Sequence, residues 1–278
     1  MNENKSKCRL CNENRELLKS HIIPKFFYNA LKEKSITKKM VYSHTPNKSV
    51  QDGEKSYFLC SECEEQFSKY EKYFSEKVYE KLKNDNRVIQ LSCDQKKIRY
   101  FVLSMAWRIL KYSLEDDSKL HLKNHLSPKE MDYLNDVEIK WAGWLRDEDE
   151  KQMRTVQMFL IPTTEYFEDK LERRTYSNVG YDFCATGEKD NSKYAYIIIQ
   201  VPYMLFVITV WGKTEKMKGY LLGKKSEITL GQLPNFIDEH LHRLHVTRFN
   251  EINAEMTDEH RADIVRRVEK SNKTINGL

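Results

Sequence analysis

Two identical cysteine pairs constrain this chain more than any other feature of its sequence. Cys8 and Cys11 form one CxxC motif and Cys60 and Cys63 form another, with 48 residues between the two motifs. Two such turns are the usual way to present four thiolates to one tetrahedral Zn²⁺ ion. The alternatives are chance pairing and a redox motif, although a redox CxxC is expected once, in a thioredoxin-like βαβ context. The spacing predicts a structural zinc site that clips residue 8 to residue 63.

The other two cysteines, Cys93 and Cys184, have no partner at metal-binding spacing. An isolated cysteine usually behaves as a small apolar residue. Both are therefore predicted to be buried.

The formal net charge of +5 is confined to the first third of the chain. Residues 1–84 contain seventeen Lys or Arg and twelve Asp or Glu, whereas residues 85–278 contain thirty of each. Within the first third, residues 25–55 carry seven lysines and three acidic residues. A basic segment on an otherwise balanced protein indicates a polyanionic partner, and a solvated lysine-rich loop is the alternative.

Hydrophobic spacing predicts three helices in the first half. Apolar residues three or four positions apart indicate a helix over about 61–83, and a second such stripe begins at Ile98. A third helix opens at Ser127, which combines an N-cap serine with Pro128 at the first helical position and Glu130 three residues after the cap.

The second half changes to a strand pattern. Segments rich in β-branched and aromatic residues predict strands over 156–161, 179–184, 194–201 and 203–211. The apolar run 194–211 is interrupted by Pro202 and is short for a membrane span, so two buried strands are the better interpretation. Two helices, about 232–247 and 258–271, close the chain, the second capped by Thr257.

The predicted fold class is α+β, because the strands are gathered between helices. A chain that is 40% hydrophobic, with sixteen Tyr and twelve Phe, is not a disordered protein. We expect a zinc-binding domain over 1–84, a helical segment over 85–150, and an α+β domain with a mainly antiparallel sheet over 151–278. Residues 85–278 could equally form one domain.

Between the cysteine pairs lies the segment Leu18-Lys19-Ser20-His21-Ile22-Ile23-Pro24. Together with the two CxxC motifs it resembles the HNH endonucleases of the ββα-metal superfamily, in the subgroup where zinc knuckles brace the active site. The resemblance covers about residues 6–80. It implies a ββα-metal fold for this part of the chain and hydrolysis of DNA phosphodiester bonds.

Site residues follow from the same resemblance. His21 matches the catalytic histidine, a general base that takes a proton from the attacking water. Glu64, directly after the second CxxC, matches the ligand of a catalytic Mg²⁺ or Mn²⁺. Glu71 is a further catalytic candidate on a separate ground: it lies on the apolar stripe of the same helix, where an ionised carboxylate is costly unless a cation or metal meets it. Five lysines after the histidine would bind backbone phosphates: Lys25, Lys32, Lys34, Lys38 and Lys39.

The sequence departs from the family pattern at two of these positions. Ser20 stands where many members carry a metal-binding Asp, and Glu64 stands where Asn or His is usual. The asparagine that orients the histidine ring in the family has Asn47 as its nearest loop candidate. The alternative function is therefore a catalytically inactive, zinc-braced module that binds nucleic acid or protein.

Each candidate also has a structural interpretation. His21 could be a core histidine, and Glu64 could be a first-turn residue that interacts favourably with the helix dipole. Glu71 could be paired with an interior arginine such as Arg99 or Arg108, because a carboxylate on an apolar face needs a cation. A C-terminal group of three histidines, His240, His242 and His245, is interpreted as a solvated helix face rather than as a second metal site.

The termini show neither a secretory signal nor a lipidation motif, so a cytoplasmic protein without membrane association is expected. DNA is the expected partner of the first third. Residues 85–278 would supply specificity, a homo-oligomer contact or a regulatory contact.

Overall fold

The computed structural model describes the chain over residues 5–35, 38–42, 45–84, 88–90, 93–115, 126–162, 179–186, 194–212, 221–222, 227–229 and 250–275. Helices and antiparallel sheets both occur in these ranges, which confirms the predicted mixture of α and β structure.

The N-terminal part is built on a three-stranded antiparallel sheet. Its strands are β1 (Lys5–Lys7), β2 (Asn14–His21) and β5 (Lys55–Cys60), in the order β1-β2-β5. Between β2 and β5 the chain forms helix α1 (Lys25–Lys34), which begins after Pro24, and a hairpin of β3 (Met40–Tyr42) and β4 (Thr45–Val50). Proline suits the start of a helix because it has no backbone N–H to satisfy.

A long helical segment follows β5 without a loop, as the spacing of its apolar residues predicts. It consists of α2 (Ser61–Phe74), a π-helical stretch (Ser75–Tyr79) and α3 (Glu80–Asn84). The extra residue that a π turn inserts shifts the buried face of the helix, so that both Val78 and Tyr79 are buried beside Phe74.

Helix α4 (Gln95–Glu115) is the centre of the core. Fourteen of its twenty-one residues are buried, because α2 and helix α5 (Pro128–Arg146) pack against it and the strand Met204–Trp211 also contacts it. Helix α5 begins with the predicted capping box between Ser127 and Glu130, and the short helix α6 (Glu150–Met153) follows it.

A second antiparallel sheet contains the four predicted strands. These are β7 (Met158–Pro162), β8 (Gly180–Thr186), β9 (Tyr194–Val201) and β10 (Met204–Trp211), in the order β7-β10-β9-β8. The apolar run 194–211 is a buried hairpin that turns at Pro202 and Tyr203, where Tyr203 has φ 73°. No helix in the described ranges combines the length and the hydrophobicity needed to cross a bilayer.

Two smaller pieces complete the described structure. Strand β6 (Val88–Gln90) pairs with β11 (Glu227–Thr229), and helix α7 (Asp258–Ile275) follows a helical stretch over 250–255. The hydroxyl of Thr257 accepts a hydrogen bond from the backbone of His260, as expected of the N-cap. The predicted helix 232–247, with His240, His242 and His245, lies outside the described residues.

One hydrophobic core extends from Cys8 to Leu222 and includes residues of all three predicted segments. The boundaries at residues 84 and 150 stay predictions.

The expectation that Cys93 is buried is wrong: its side chain is half-exposed and its Sγ donates to the carbonyl of Lys77. Cys93 lies two residues before α4 begins, at the edge of the core, where it is only partly covered. The side chain of Cys184 lies outside the described residues.

Candidate metal centre and active site

The four CxxC sulfurs meet at one point. The Sγ atoms of Cys8, Cys11, Cys60 and Cys63 all lie within 4.8 Å of one another, and those of Cys11 and Cys60 are 3.9 Å apart. A tetrahedral ion with zinc–sulfur bonds of 2.3 Å requires sulfur atoms about 3.8 Å apart. The cluster could therefore hold a metal ion such as zinc.

Local backbone structure creates this convergence. The first motif lies in a tight turn in which the Asn12 N–H donates to the Cys8 carbonyl, and Asn12 has φ 61°, a left-handed conformation that asparagine tolerates. In the second motif, Cys60 ends β5 and Cys63 lies in the first turn of α2. The Cys60 N–H donates to the Cys8 Sγ over 3.4 Å.

Because the thiols lie close together, the pKa values of Cys8, Cys60 and Cys63 differ from one another. A hydrogen bond from Cys63 lowers the pKa of Cys8 to about 4, against the opposing effect of burial. Burial raises the pKa of Cys60 to about 11, and the hydrogen bond with Cys8 raises the pKa of Cys63 strongly. Neighbouring thiolates repel one another, so only a cation among them would allow all four to ionise together.

His21 lies at the end of β2, where its ring meets a carboxylate that the sequence did not single out. Its Nε2 is 2.9 Å from Oδ1 of Asp52, and both side chains are mostly buried. The Asp52 carboxylate also contacts the Lys55 Nζ at 2.5 Å and accepts a hydrogen bond from the Gly53 N–H at 2.9 Å. Asp52 is therefore the residue that orients His21.

These contacts keep Asp52 ionised. Burial raises its pKa, but the hydrogen bonds from Lys55, His21 and the Gly53 backbone together outweigh that effect and hold the pKa well below its usual range. An ionised Asp52 favours the His21 tautomer that carries its proton on Nε2 and donates it to Oδ1, and in that tautomer Nδ1 has a free lone pair.

The two departures from the family pattern form a contact with each other. Ser20 is 1% exposed, and its hydroxyl donates to Oε2 of Glu64 over 2.7 Å. Ser20 and His21 are neighbours on β2, and successive side chains of a strand point to opposite faces. Ser20 accordingly meets α2, whereas His21 meets the loop before β5. No hydrogen bond joins His21 to Glu64 in the described part of the chain.

Glu71 is paired with a buried arginine, as the structural interpretation of this residue expected. The Nη2 of Arg108, which is 1% exposed, donates to Oε1 of Glu71 over 2.6 Å. Its Nη1 donates to the main-chain carbonyl of His21 over 2.9 Å. Glu71 thus connects to the candidate active site through Arg108. Arg99 instead donates to the carbonyls of Val156 and Leu222.

Asn47 does not contact His21. Its side-chain amide donates to the Glu255 carbonyl and accepts from the Thr257 N–H, both over 2.8 Å, which ties the β4 strand to the start of α7. Asp52 is the residue that does contact His21. The sequence signal available for it was the Asp52-Gly53 dipeptide before β5. A Cβ on Gly53 would lie 2.0 Å from the ring of Tyr28, so only glycine fits there.

The five candidate lysines lie on and after α1. Lys25 and Lys38 are exposed, and Lys32 and Lys39 are half-buried. The Nζ of Lys32 donates to the Gln51 carbonyl and that of Lys38 to the Glu33 carbonyl. The side chain of Lys34 lies outside the described residues.

Comparison with known proteins adds no relative. No family model, curated protein or solved structure matches this chain.

Proposed function

We propose that this protein is a metal-dependent HNH-type endonuclease that hydrolyses DNA phosphodiester bonds, with His21 as the general base. The observation that carries the proposal is the contact between His21 Nε2 and the Asp52 carboxylate at the end of β2. A histidine oriented by an ionised carboxylate is suited to accept a proton and to be stabilised once protonated.

The arrangement around His21 supports the proposal. Strands β2 and β5 are antiparallel, and α2 begins at the residue after β5, which is the strand-strand-helix order of the family that the motif resembles. The four cysteines join the turn before β2 to the junction of β5 and α2. A structural zinc ion at these sulfurs would fix the two strands and the helix relative to one another.

Glu64 on α2 and Ser20 on β2 fit a hard divalent ion in donor type. Glu64 offers a carboxylate and Ser20 a hydroxyl, and Mg²⁺ commonly binds one or two carboxylates together with waters and substrate phosphates. When bound there, Mg²⁺ or Mn²⁺ would neutralise the negative charge that develops on the phosphate during the reaction.

The chain's own residues then carry the proton transfer. Asp52 holds the Nε2–H of His21, and within the described residues nothing hydrogen-bonds to Nδ1, which accepts a proton from water. The water oxygen forms a bond to phosphorus, the ester bond to the leaving oxygen breaks, and the leaving oxygen takes up a proton from a solvent water while protonated His21 returns its proton to solvent. Arg108 fixes the main chain of His21 during this step, and Lys25 and the neighbouring lysines bind the backbone phosphates.

The experiment is nicking of a supercoiled plasmid by the purified protein with Mg²⁺ or Mn²⁺. We expect cleavage by the native protein and by His260→Ala, a matched histidine variant on α7, and a loss of at least about a hundredfold in His21→Ala. Equal nicking activity of His21→Ala and the native protein would contradict the proposal. A single-stranded RNA substrate in a parallel arm decides between DNA and RNA.

The Ser20–Glu64 hydrogen bond favours a second candidate, the inactive binding module. Glu64 already has a protein partner, and Ser20 provides no second carboxylate. This candidate predicts salt-sensitive binding of DNA without metal-dependent cleavage, and unchanged affinity in His21→Ala. Salt-sensitive binding measured by fluorescence anisotropy, together with no nicking of the plasmid in Mg²⁺ or Mn²⁺, would support the inactive module, whereas nicking that His21→Ala abolishes would support the endonuclease.

A further inference from the structure

The face of the N-terminal sheet that carries His21 also carries two lysines and an exposed tyrosine. In the antiparallel register of β2 and β5, His21 lies opposite Lys55 and Lys19 lies opposite Tyr57. Residues two positions apart on a strand share a face of the sheet, and so do residues directly opposite each other. Lys19, His21, Lys55 and Tyr57 therefore form one surface, which we call the His21 face. Ser20 lies on the other face, where its hydroxyl meets α2.

The ring of Tyr57 on this face is open to solvent. The residue is 47% exposed, and within the described ranges neither its ring nor its hydroxyl has an aromatic or polar partner. Tyr57 is the diagonal neighbour of His21 in the ladder, at a separation of about 7–8 Å, which is within reach of an aromatic side chain. A group that stacks on this ring would lie next to the group on which His21 acts.

The charges of the His21 face favour an anionic partner. Lys19 is exposed and has no ion pair in the described part of the chain. Lys55 contacts Asp52, and because an ammonium has three N–H donors, this contact leaves others for a ligand. With two lysines against one aspartate, the surface has a positive excess. Lysine is depleted in protein–protein interfaces, whereas lysines beside an aromatic ring are typical of surfaces that bind single nucleic-acid strands.

The exposed ring favours an unpaired base over a base pair. Each interior base of a duplex is covered on both sides by its neighbours, so a ring that lies on a sheet cannot stack on it unless the duplex opens. An unpaired base has a free face, and an aromatic side chain can stack on it whatever the identity of the base. The His21 face therefore suits a single strand without a sequence preference.

We propose that Tyr57 stacks on the unpaired base next to the scissile phosphate while Lys19 and Lys55 bind backbone phosphates, so that the site prefers single-stranded DNA to duplex DNA. The identity of the substrate rests on the proposed function, and the inference adds the form of that substrate. The expected nicking of a supercoiled plasmid is consistent with it, because negative supercoiling favours local opening of the duplex.

Fluorescence anisotropy with a labelled oligonucleotide, either single-stranded or annealed to its complement, tests the proposal. The full zinc-loaded chain is used without Mg²⁺ or Mn²⁺, so that no cleavage is needed. We expect the native protein to bind the single strand more tightly than the duplex at equal salt. Tyr57→Ala should weaken binding of the single strand by about tenfold and binding of the duplex by less than about twofold. Because Tyr57 lies on the surface, the variant should keep the native melting temperature.

Matched variants separate stacking from other effects. Tyr57→Phe keeps the ring and should bind as the native protein does, as should Tyr133→Ala, which removes a tyrosine of α5 that is 45% exposed. Lys19→Ala should lower the slope of log affinity against log salt by about 0.7, whereas Lys129→Ala, an exposed lysine of α5, should leave it unchanged.

Three results would overturn the proposal: native affinity for the single strand in Tyr57→Ala, an equal loss in Tyr57→Phe, or no preference of the native protein for the single strand. An unchanged salt slope in Lys19→Ala would contradict its phosphate contact. Failure of the endonuclease activity is a separate result, because it is measured by plasmid nicking. A protein that binds single strands through Tyr57 and never cleaves them would disprove the endonuclease and support the binding surface.

Discussion

Arg108 donates a hydrogen bond to the main-chain carbonyl of His21 over 2.9 Å, although the two residues are 87 positions apart. The same guanidinium pairs with Glu71 and lies 5.4 Å from the centre of the Phe67 ring. One buried side chain of α4 therefore connects α2 to the end of β2. The position of the candidate base depends on the core of the protein as well as on its own strand.

Replacing Arg108 with methionine should destabilise the protein by about 3 kcal/mol, because it leaves the Glu71 carboxylate and the His21 carbonyl unpaired. Urea unfolding followed by circular dichroism measures this free energy. Arg146→Met, which removes an exposed ion pair with Asp147, should cost about 1 kcal/mol or less. Equal losses in the two variants would contradict the role given to Arg108, and adding Glu71→Gln to Arg108→Met should restore part of the stability.

Removal of metal should unfold the N-terminal part of the protein. We expect one zinc ion per chain by elemental analysis, and a melting temperature that falls on treatment with a strong chelator and recovers when Zn²⁺ is returned. Cys60→Ala should abolish stoichiometric zinc, whereas Cys93→Ala, which lies outside the cluster, should retain it. Full zinc content in Cys60→Ala would show that the four sulfurs do not act as one site.

Asp52 should make the free energy of unfolding depend on pH under acidic conditions. The pKa of this carboxyl is lowered in the folded protein, so its contribution is fully present above the unfolded value of about 3.9 and is lost as the pH falls through the lower folded value. Unfolding free energies measured between pH 3 and pH 7 should therefore fall less steeply towards acid in Asp52→Asn than in the native protein. Asp132→Asn, an exposed residue of α5, should keep the native slope.

Two glycine substitutions should have opposite effects. Gly53→Ala places a Cβ within 2.0 Å of the buried Tyr28 ring and should destabilise the protein by about 1–3 kcal/mol while displacing Asp52. Gly143→Ala on α5 has no atom within 4 Å of the new Cβ and should stabilise the helix by up to about 1 kcal/mol. Thermal unfolding checks both, and a harmless Gly53→Ala would contradict the close approach.

Ser20→Asp should convert the Ser20–Glu64 contact into a metal-dependent one. Two carboxylates at a position 1% exposed repel each other and resist burial, so the variant should lose about 2 kcal/mol or more without divalent metal. Mn²⁺ should restore most of this loss, as measured by the melting temperature at increasing Mn²⁺ concentration. Ser20→Asn, which adds similar volume without charge, should show no such recovery.

Local patterns in the sequence were sufficient for the long helices and for the four strands of the second sheet. The spacing of Phe67, Phe74 and Val78 predicted the long helix, and Ser127 with Glu130 predicted the start of α5. The apolar run broken at Pro202 predicted the central hairpin. Each of these signals depends on residues a few positions apart, whose relation is set by backbone geometry alone. The repeated CxxC motif predicted the cysteine cluster because its ligand chemistry is specific.

The partners of the candidate site were decided by tertiary structure. Asp52 rather than Asn47 meets His21, because the loop before β5 passes the end of β2 while Asn47 is held by the start of α7. Arg108 rather than Arg99 pairs with Glu71, because the two arginines lie on different sides of a helix that is buried nearly all round. Such pairings join residues tens of positions apart and depend on strand register and helix packing, which no local pattern encodes. The sequence by itself determined the long helices, the strands of the second sheet and the meeting of the four cysteines, and packing determined which side chains those elements bring together.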